Sequence, residues 1–187
     1  ARAPPRPPPP ARGRRSAARP GGPGRAARAA GARAAAGRLT VVQSCGSCER
    51  PHGRPRLVEA PATAVSLAHA RGWVAAAAAD GPVGVDVEAV DGTDVDWRTA
   101  EAVCTGKELA ALRSDTHPRR AFLRQWVRKE SLVKVGAGTL DEPARLDVPV
   151  YGQEPPRWHG WRLLDWGCAQ AVGCVAAREE MRLRLLG

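Results

Sequence analysis

Strand-like runs, the last of which alternates apolar and polar positions, predict three strands in the first half of the chain. The runs are "TAVSLAHA" (63–70), "GWVAAAAA" (72–79) and "PVGVDVE" (82–88). Alternation of this kind sends successive side chains to opposite faces of a strand. The dipeptide Asp80-Gly81 separates the last two runs, so a hairpin is predicted there.

Two helices are predicted next. In "CTGKELAALR", Thr105 is followed three residues later by Glu108, which is the capping-box pattern of a helix start. In "HPRRAFLRQWVRKESLVKVGAG" (117–138), Pro118 suits the first helical turn and Gly136 suits the end. The second helix is therefore predicted to be long and sharply bounded.

Apolar runs return after the long helix and predict four more strands. They are "RLDVPVY" (145–151), "GWRLLDW" (160–166), "CAQAVGCVAA" (168–177) and "RLRLL" (182–186). Because strands and helical signals flank a point near residue 100, we predict an α+β (α/β) chain with two comparable lobes.

The basic charge is confined to the first 38 residues. The chain has 29 Lys and Arg, 19 Asp and Glu, and a formal net charge of +10. Residues 1–38 hold ten Arg and no acidic residue, which leaves 19 basic and 19 acidic residues in 39–187. A neutral body does not favour nucleic-acid binding, so that function is expected only of the tail.

The first 38 residues consist only of Ala, Arg, Pro, Gly and one Ser. Such a composition has almost no apolar surface to bury, so a disordered tail is predicted. "PPRPPPP" should be extended, and "RAARAAGARAAAGR" should be a frayed helix at most. A nucleic-acid or membrane-surface arm is the alternative interpretation of its arginines.

No segment has the composition of a membrane helix or a secretory signal. The longest apolar run, "WVAAAAA", is far shorter than the ~20 residues that span a bilayer, and no apolar stretch follows the first arginines. The five cysteines are odd in number and irregularly spaced, unlike a disulfide framework. We therefore expect a reducing, cytoplasmic location.

Cysteine spacing raises a zinc hypothesis that the rest of the sequence does not favour. Cys45, Cys48 and His52 could begin a zinc site, but a second ligand pair with matching spacing is missing. Cys168 and Cys174 lie in apolar sequence, and we predict that both are buried core thiols.

The strand "VGVDVEAV" (83–90) carries two carboxylates on one face. Asp86 and Glu88 share a face with Gly84, while the valines point to the other. One interpretation is the wet face of a half-buried sheet. The other is a hard-cation site such as Mg²⁺, with Gly84 leaving room for a ligand to approach the backbone.

The long helix places four residues along one line. Phe122, Trp126, Glu130 and Lys134 recur every fourth residue and therefore lie along one face. Glu130 and Lys134 could be an ordinary surface ion pair. Alternatively, Glu130 could be a base or third carboxylate beside a cation, as a phosphate reaction would require.

The two patterns together resemble the 4′-phosphopantetheinyl transferases. "GVDVE" (84–88) matches the G-[VI]-D-[VI]-E strand of that family, and "FLRQWVRKESLVKVGAG" (122–138) matches its W-x-x-K-E-[SA]-x-x-K helix. "CGSCERPHGRPRL" and "SLAHARGWVAAA" also resemble its first-lobe segments. The resemblance covers roughly 45–177, and the two-lobed arrangement resembles the surfactin-synthetase type.

The resemblance implies a magnesium site. Asp86, Glu88 and Glu130 would hold Mg²⁺ against the pyrophosphate of coenzyme A. Glu130 would also be the general base that takes the proton from a serine of the carrier protein. Lys134 would lie against the same phosphates and take part in the transfer, and Trp126 would anchor the helix.

The resemblance also implies a binding site for coenzyme A as co-substrate. Arg54 and His69 would contact its 3′-phosphate region, while Asp86 and Lys134 would meet its pyrophosphate. The partner would be an acyl- or peptidyl-carrier protein domain, which leaves fatty-acid, polyketide and nonribosomal-peptide synthesis open.

The implied fold consists of two pseudo-symmetric lobes, each a small, mostly antiparallel sheet packed with a long helix. We assign 1–38 to the tail, 39–98 to the first lobe and 99–187 to the second, which carries the catalytic helix. Two fused lobes predict a monomer.

Three departures from the family pattern shape the alternatives. Ala68 stands where the family usually has Ser before His69. In place of the ordered basic segment that usually precedes the Cys/His stretch, the chain offers only residues 1–38, which lack aliphatic residues, and it begins with Ala rather than Met. We therefore expect a fragment whose first lobe is incomplete. The alternative function is a truncated or impaired relative that binds coenzyme A or a carrier protein without transfer.

Overall fold

The structure is a computed structural model that describes residues 39–43, 53–92, 94–139, 142, 145–150 and 157–184. These residues belong to one compact unit, Leu39–Gly187. The predicted tail and the proposed zinc ligands Cys45, Cys48 and His52 lie outside the described residues.

Two antiparallel sheets form the framework. The first has the strand order β1-β2-β3-β4 and the second has the order β5-β8-β7-β6. The strands are β1 (Val41–Gln43), β2 (Pro55–Leu57), β3 (Ala64–Ala70), β4 (Trp73–Ala79), β5 (Val83–Ala89), β6 (Arg157–Trp158), β7 (Trp161–Gly167) and β8 (Ala171–Ala177).

Strand β5 is covered on both faces. Val83, Val85 and Val87 belong to an apolar cluster that also contains alanines of β3 and β4, so this face packs against the first sheet. The face that carries Asp86 and Glu88 contacts a long helix instead. The interpretation of these carboxylates as the wet face of a sheet is therefore wrong.

Three helices cover the second sheet on the side away from the first. They are α1 (Trp97–Val103), α2 (Gly106–Ser114) and α3 (Pro118–Lys134). A second apolar cluster lies between them and the sheet, with Phe122, Leu132, Trp161 and Leu163 among its members. Helix α3 lies across β5 and β8, which brings the two predicted motifs together.

The predicted helix boundaries are confirmed. Thr105 and Glu108 form both hydrogen bonds of a capping box at the start of α2, and Pro118 begins α3. Gly136 has φ +80° just beyond the end of α3. Its amide donates to Val133 O at 2.8 Å, and the next amide donates to Leu132 O at 2.9 Å, as in a Schellman motif.

Helix α1 was not predicted, although the sequence contains its start signal. The side chain of Asp96 accepts a hydrogen bond from the amide of Thr99 at 3.2 Å. Asp is a favoured residue at this capping position. The helix has only seven residues, so its apolar periodicity is too short to recognise.

The predicted hairpin at Asp80-Gly81 is wrong. Strand β4 pairs with β3 through the turn Arg71-Gly72, whereas β5 pairs with β8 in the other sheet. Residues 80–82 therefore cross between sheets. The dipeptide signal is local, and here the burial of the β5 valines against the first sheet decides the path.

The strand predicted over 145–151 does not form at its described residues, 145–150. Leu146 and Val148 are buried as the alternation requires. However, the carbonyl of Leu146 accepts from the side chain of Lys129 at 2.6 Å, and the amide of Val148 donates to Glu108 at 3.2 Å. Side chains of helices thus replace a neighbouring strand. Residues 182–184 of the last predicted strand are also irregular.

The cysteine prediction is half right. Cys174 is fully buried on β8, and burial raises the pKa of its thiol far above the usual range. Cys168 is only half-buried in the turn that follows β7.

The α+β class and the two antiparallel sheets are confirmed. A long helix packs on the second sheet, but the described residues include no such helix on the first. Strand β5 falls within the range assigned to the first lobe, yet it hydrogen-bonds in the second sheet. Among the described residues, no helix is long and apolar enough to cross a membrane.

Candidate active site

Gly84 allows helix α3 to approach strand β5 closely. A Cβ atom on Gly84 would lie 2.1 Å from the carbonyl oxygen of Ser131. The predicted role of this glycine, to leave room for a ligand, is therefore wrong, because the helix backbone fills that space. The close approach brings the helix line Trp126, Glu130 and Lys134 over Asp86 and Glu88.

Asp86 forms an ion pair with Lys134. The Nζ atom of Lys134 donates to Oδ1 of Asp86 at 2.7 Å and to the carbonyl of Val85 at 3.0 Å. Asp86 is only 7% exposed. Burial raises the pKa of its carboxyl, and the hydrogen bond and charge of Lys134 oppose that rise. The lysine therefore stabilises a carboxylate that its surroundings disfavour.

Glu88 is held by the tryptophan of the helix motif. The indole Nε1 of Trp126 donates to Oε1 of Glu88 at 3.2 Å. Burial first, and then the negative charge of Asp86, raise the pKa of Glu88. The predicted anchoring role of Trp126 remains a prediction, but its partner on the strand is now identified.

Glu130 completes the acidic cluster from the helix side. Burial and the charge of Asp86 raise the pKa of Glu130, and Glu88 adds to the rise, whereas Lys134 lowers it. Lys134 pairs with Asp86 across the helix–strand contact, so the Glu130–Lys134 surface pair is not the arrangement found. A base near its working pH needs a raised pKa of this kind.

The chemistry of the cluster suits a hard cation, although a complete ligand set is not assembled. Oδ2 of Asp86 is buried and has no hydrogen-bond partner. Such an orphaned carboxylate oxygen is costly unless a cation meets it. However, no group of three acidic, His or Cys side chains lies close enough to hold a metal in the described part of the chain. The ammonium of Lys134 takes part of that space.

A cleft of about 610 Å³ opens beside the cluster. Its lining includes the polar and charged residues Gln43, Arg54, Arg56, Thr63, Ser66 and Lys134. Lys134 therefore belongs both to the cleft and to the acidic cluster. The guanidinium of Arg54 lies against Gly136, 2.6 Å from the position of a Cβ there. The structure thus brings Arg54 and Lys134 to one cleft.

His69 lies elsewhere. It is exposed on β3 and pairs across the ladder with Val74, which is 81% exposed. The neighbouring Ser66 points inward, where its Oγ accepts from the amide of Val85 at 3.0 Å. Alternation along β3 therefore places His69 on the outer face of the first sheet, away from the acidic cluster.

Sequence reasoning missed a second carboxylate site, in which Glu108 of α2 meets Lys129 of α3. Glu108 is fully buried and pairs with Lys129 at 2.8 Å. It also accepts from Gln125 at 3.1 Å, from the amide of Val148 at 3.2 Å and from the amide of Thr105 at 2.7 Å. The capping box pointed to Glu108, but only as a helix start.

Part of the chain is similar to proteins of a known family. Residues 82–150 match the family model described as the 4′-phosphopantetheinyl transferase superfamily. This segment of the chain is similar to that superfamily. The matched range contains both signature motifs, from strand β5 through helix α3, and it agrees with the predicted resemblance.

One curated relative adds to this finding. It is the 4′-phosphopantetheinyl transferase psf-1 of Bacillus pumilus, 30% identical over 86 residues. The alignment covers 45% of this chain and 36% of the relative. The chain therefore spans about a third of the length of the relative it matches.

Proposed function

We propose that this protein transfers the 4′-phosphopantetheine group of coenzyme A to a serine of an acyl- or peptidyl-carrier protein, in the manner of the surfactin-synthetase type. The observation that carries the proposal is the convergence of Asp86, Glu88, Glu130 and Lys134 beside one cleft. Both family motifs supply side chains to this cluster, and the match in 82–150 supports the same reaction.

Asp86, Glu88 and Glu130 are the residues that would hold Mg²⁺. The orphaned Oδ2 of Asp86 supports this assignment, since a cation would satisfy it. When bound, the ion supplies Lewis-acid stabilisation of the negative charge on the phosphates. The carboxylates by themselves only repel a diphosphate, so the assignment requires the cation.

Glu130 is the proposed general base. The serine oxygen forms a bond to the phosphorus on the pantetheine side of the diphosphate, and the bond from that phosphorus to the bridging oxygen breaks. The serine proton goes to the carboxylate of Glu130, and 3′,5′-ADP leaves with the electron pair. The raised pKa of Glu130 improves its match to this task.

Lys134 and Arg54 are the proposed anchors for coenzyme A. Both line the cleft, and their positive charges suit the phosphates of the cofactor. The exposed position of His69 on β3 gives it no direct path to the same cluster. Its proposed contact with the 3′-phosphate therefore requires that the cofactor extend around the edge of the first sheet.

The test is the intact mass of an apo-carrier protein after incubation with coenzyme A, Mg²⁺ and this protein. A gain of one phosphopantetheine group is expected, and Glu130→Gln should abolish it with little change in melting temperature. Glu101→Gln alters an exposed glutamate far from the cluster and is the matched control. Transfer by Glu130→Gln at the wild-type rate would refute its role as base.

A relative that binds without transfer is the second candidate. It is favoured by the ammonium of Lys134, which occupies part of the cation space. Calorimetric binding of coenzyme A with no mass gain on any carrier protein would support this candidate against the first.

A further inference from the structure

Lys134 is placed where a cation would bind. Its Nζ lies 2.7 Å from Oδ1 of Asp86, while Oδ2 of the same carboxylate is buried and has no partner. One oxygen of the Asp86 carboxylate is therefore satisfied by the ammonium of Lys134. The other has no partner among the described residues and is open to a cation from outside.

The charges around Asp86 do not balance. Asp86, Glu88 and Glu130 carry three negative charges when ionised, and the charge of Asp86 acts on both glutamates. Lys134 supplies one positive charge to the pair with Asp86, and Arg119 acts on Glu88 from the start of α3. The cluster thus keeps net negative charge, which attracts a divalent cation.

The side chain of Lys134 can also extend into the cleft. Its side chain is 29% exposed and lines the open cleft, so its ammonium reaches water when it leaves Asp86. The other helix lysine differs, since the side chain of Lys129 is 2% exposed and is enclosed by its partners. Only a pair that can open at low cost can exchange one cation for another.

We propose that Lys134 is an exchangeable counter-cation, which neutralises Asp86 in the metal-free protein and is displaced into the cleft when a divalent cation binds. This inference rests on the proposed metal site. The lysine then competes with the metal, and the metal in turn frees the lysine for an anion in the cleft. By linkage, each cation lowers the affinity of Asp86 for the other.

The test is calorimetric titration of Mg²⁺ alone into the full chain at fixed pH and ionic strength. Lys134→Met should bind Mg²⁺ about tenfold or more tightly than the wild type, within the usual range of coupling between sites. Lys134→Arg keeps the cation and should bind no more tightly than the wild type. Lys107→Met removes an exposed lysine and should leave the affinity unchanged.

Thermal unfolding is a second readout that needs no enzymatic activity. Removal of Lys134 leaves Asp86 without its partner, so Mg²⁺ should raise the melting temperature of Lys134→Met more than that of the wild type. If the Met variant does not fold, Lys134→Gln takes its place.

The outcomes separate this inference from the proposed function. If the wild type binds no Mg²⁺, or Asp86→Asn binds it equally well, the metal site and the exchange both fail. Alternatively, the wild type binds Mg²⁺ through Asp86, but neutral variants at Lys134 bind it with the same affinity and show the same rise in melting temperature. That result overturns the exchange alone.

Discussion

Helix α3 carries two lysines that pair with carboxylates at almost the same distance. Lys129 lies 2.8 Å from Glu108, and Lys134 lies 2.7 Å from Asp86. The first pair is enclosed between helices and the extended segment 145–150, whereas the second borders an open cleft. Distance alone therefore does not distinguish a structural pair from a functional one.

The carboxylates of Glu108 and Asp86 differ in how many of their oxygens accept a hydrogen bond. Both oxygens of Glu108 accept hydrogen bonds from backbone or side-chain donors in addition to Lys129. Asp86 has one oxygen without a donor. A saturated buried carboxylate rigidifies its surroundings, while an unsaturated one is costly unless a ligand completes it. This contrast supports a structural role for Glu108 and the proposed metal-binding role of Asp86.

The largest loss of stability is expected where the buried pair of Glu108 and Lys129 is broken. Glu108→Gln removes the carboxylate that faces the buried ammonium of Lys129, and we expect a loss of about 3–5 kcal/mol in the free energy of unfolding. Asp86→Asn should change that energy by less than about 1 kcal/mol, since Lys134 can turn to water. Urea unfolding of both variants checks the contrast, and equal losses would contradict it.

The close contact of helix and strand should be the next most sensitive feature. Gly84→Ala pushes a methyl group into the carbonyl of Ser131, so we expect a loss of about 1–3 kcal/mol and weaker Mg²⁺ binding. Gly106→Ala is the control, because a Cβ there meets nothing within 4 Å. The prediction fails if the two alanine variants have the same unfolding midpoint in urea.

The stability of the protein at alkaline pH should depend on Cys104, whose thiol feels the charges of Glu108 and Lys129. Burial, and then the charge of Glu108, raise the pKa of this thiol from 9.0 to about 11, and Lys129 opposes the rise. Between these values the folded protein keeps a proton that the unfolded chain loses. The contribution of this thiol to stability is therefore intact below pH 9 and falls as the pH rises to about 11, by up to about 1.4 kcal/mol per pH unit.

The measurement is the difference in unfolding free energy between the wild type and Cys104→Ala across that pH window, since other titrating groups cancel. The wild type should lose more stability than the variant as the pH rises. A constant difference from pH 8 to 11 would show that the thiol titrates normally.

The smallest effect is expected from Trp126, whose indole donates a hydrogen bond to Glu88 of the acidic cluster. Trp126→Phe removes the hydrogen bond to Glu88 and should cost about 1 kcal/mol or less in stability. Trp97→Phe, at a tryptophan that is 37% exposed on α1, is the control and should cost less still. Thermal melts compare the two variants. A greater loss of stability in Trp97→Phe would contradict a stabilising role for the hydrogen bond between Trp126 and Glu88.

Much of the local structure was determined by the sequence. The capping box of Thr105 and Glu108, the first-turn Pro118 and the stop at Gly136 act within a few residues, so their signals can be read directly. The spacing of Trp126, Glu130 and Lys134 likewise defined a helix face before any partner was known. The two motifs that carry the resemblance to the family are local patterns of the same kind.

Only the tertiary structure decided which partners these elements meet. The path at Asp80-Gly81, the helix carbonyl above Gly84 and the outward position of His69 all depend on contacts between distant residues. Lys129 lies between Arg128 and Glu130 and Lys134 lies between two valines, and these sequence neighbours do not reveal the partner of either lysine. Their roles diverge because packing saturates Glu108 and leaves one oxygen of Asp86 open, and saturation is a property of three-dimensional neighbours rather than of sequence spacing.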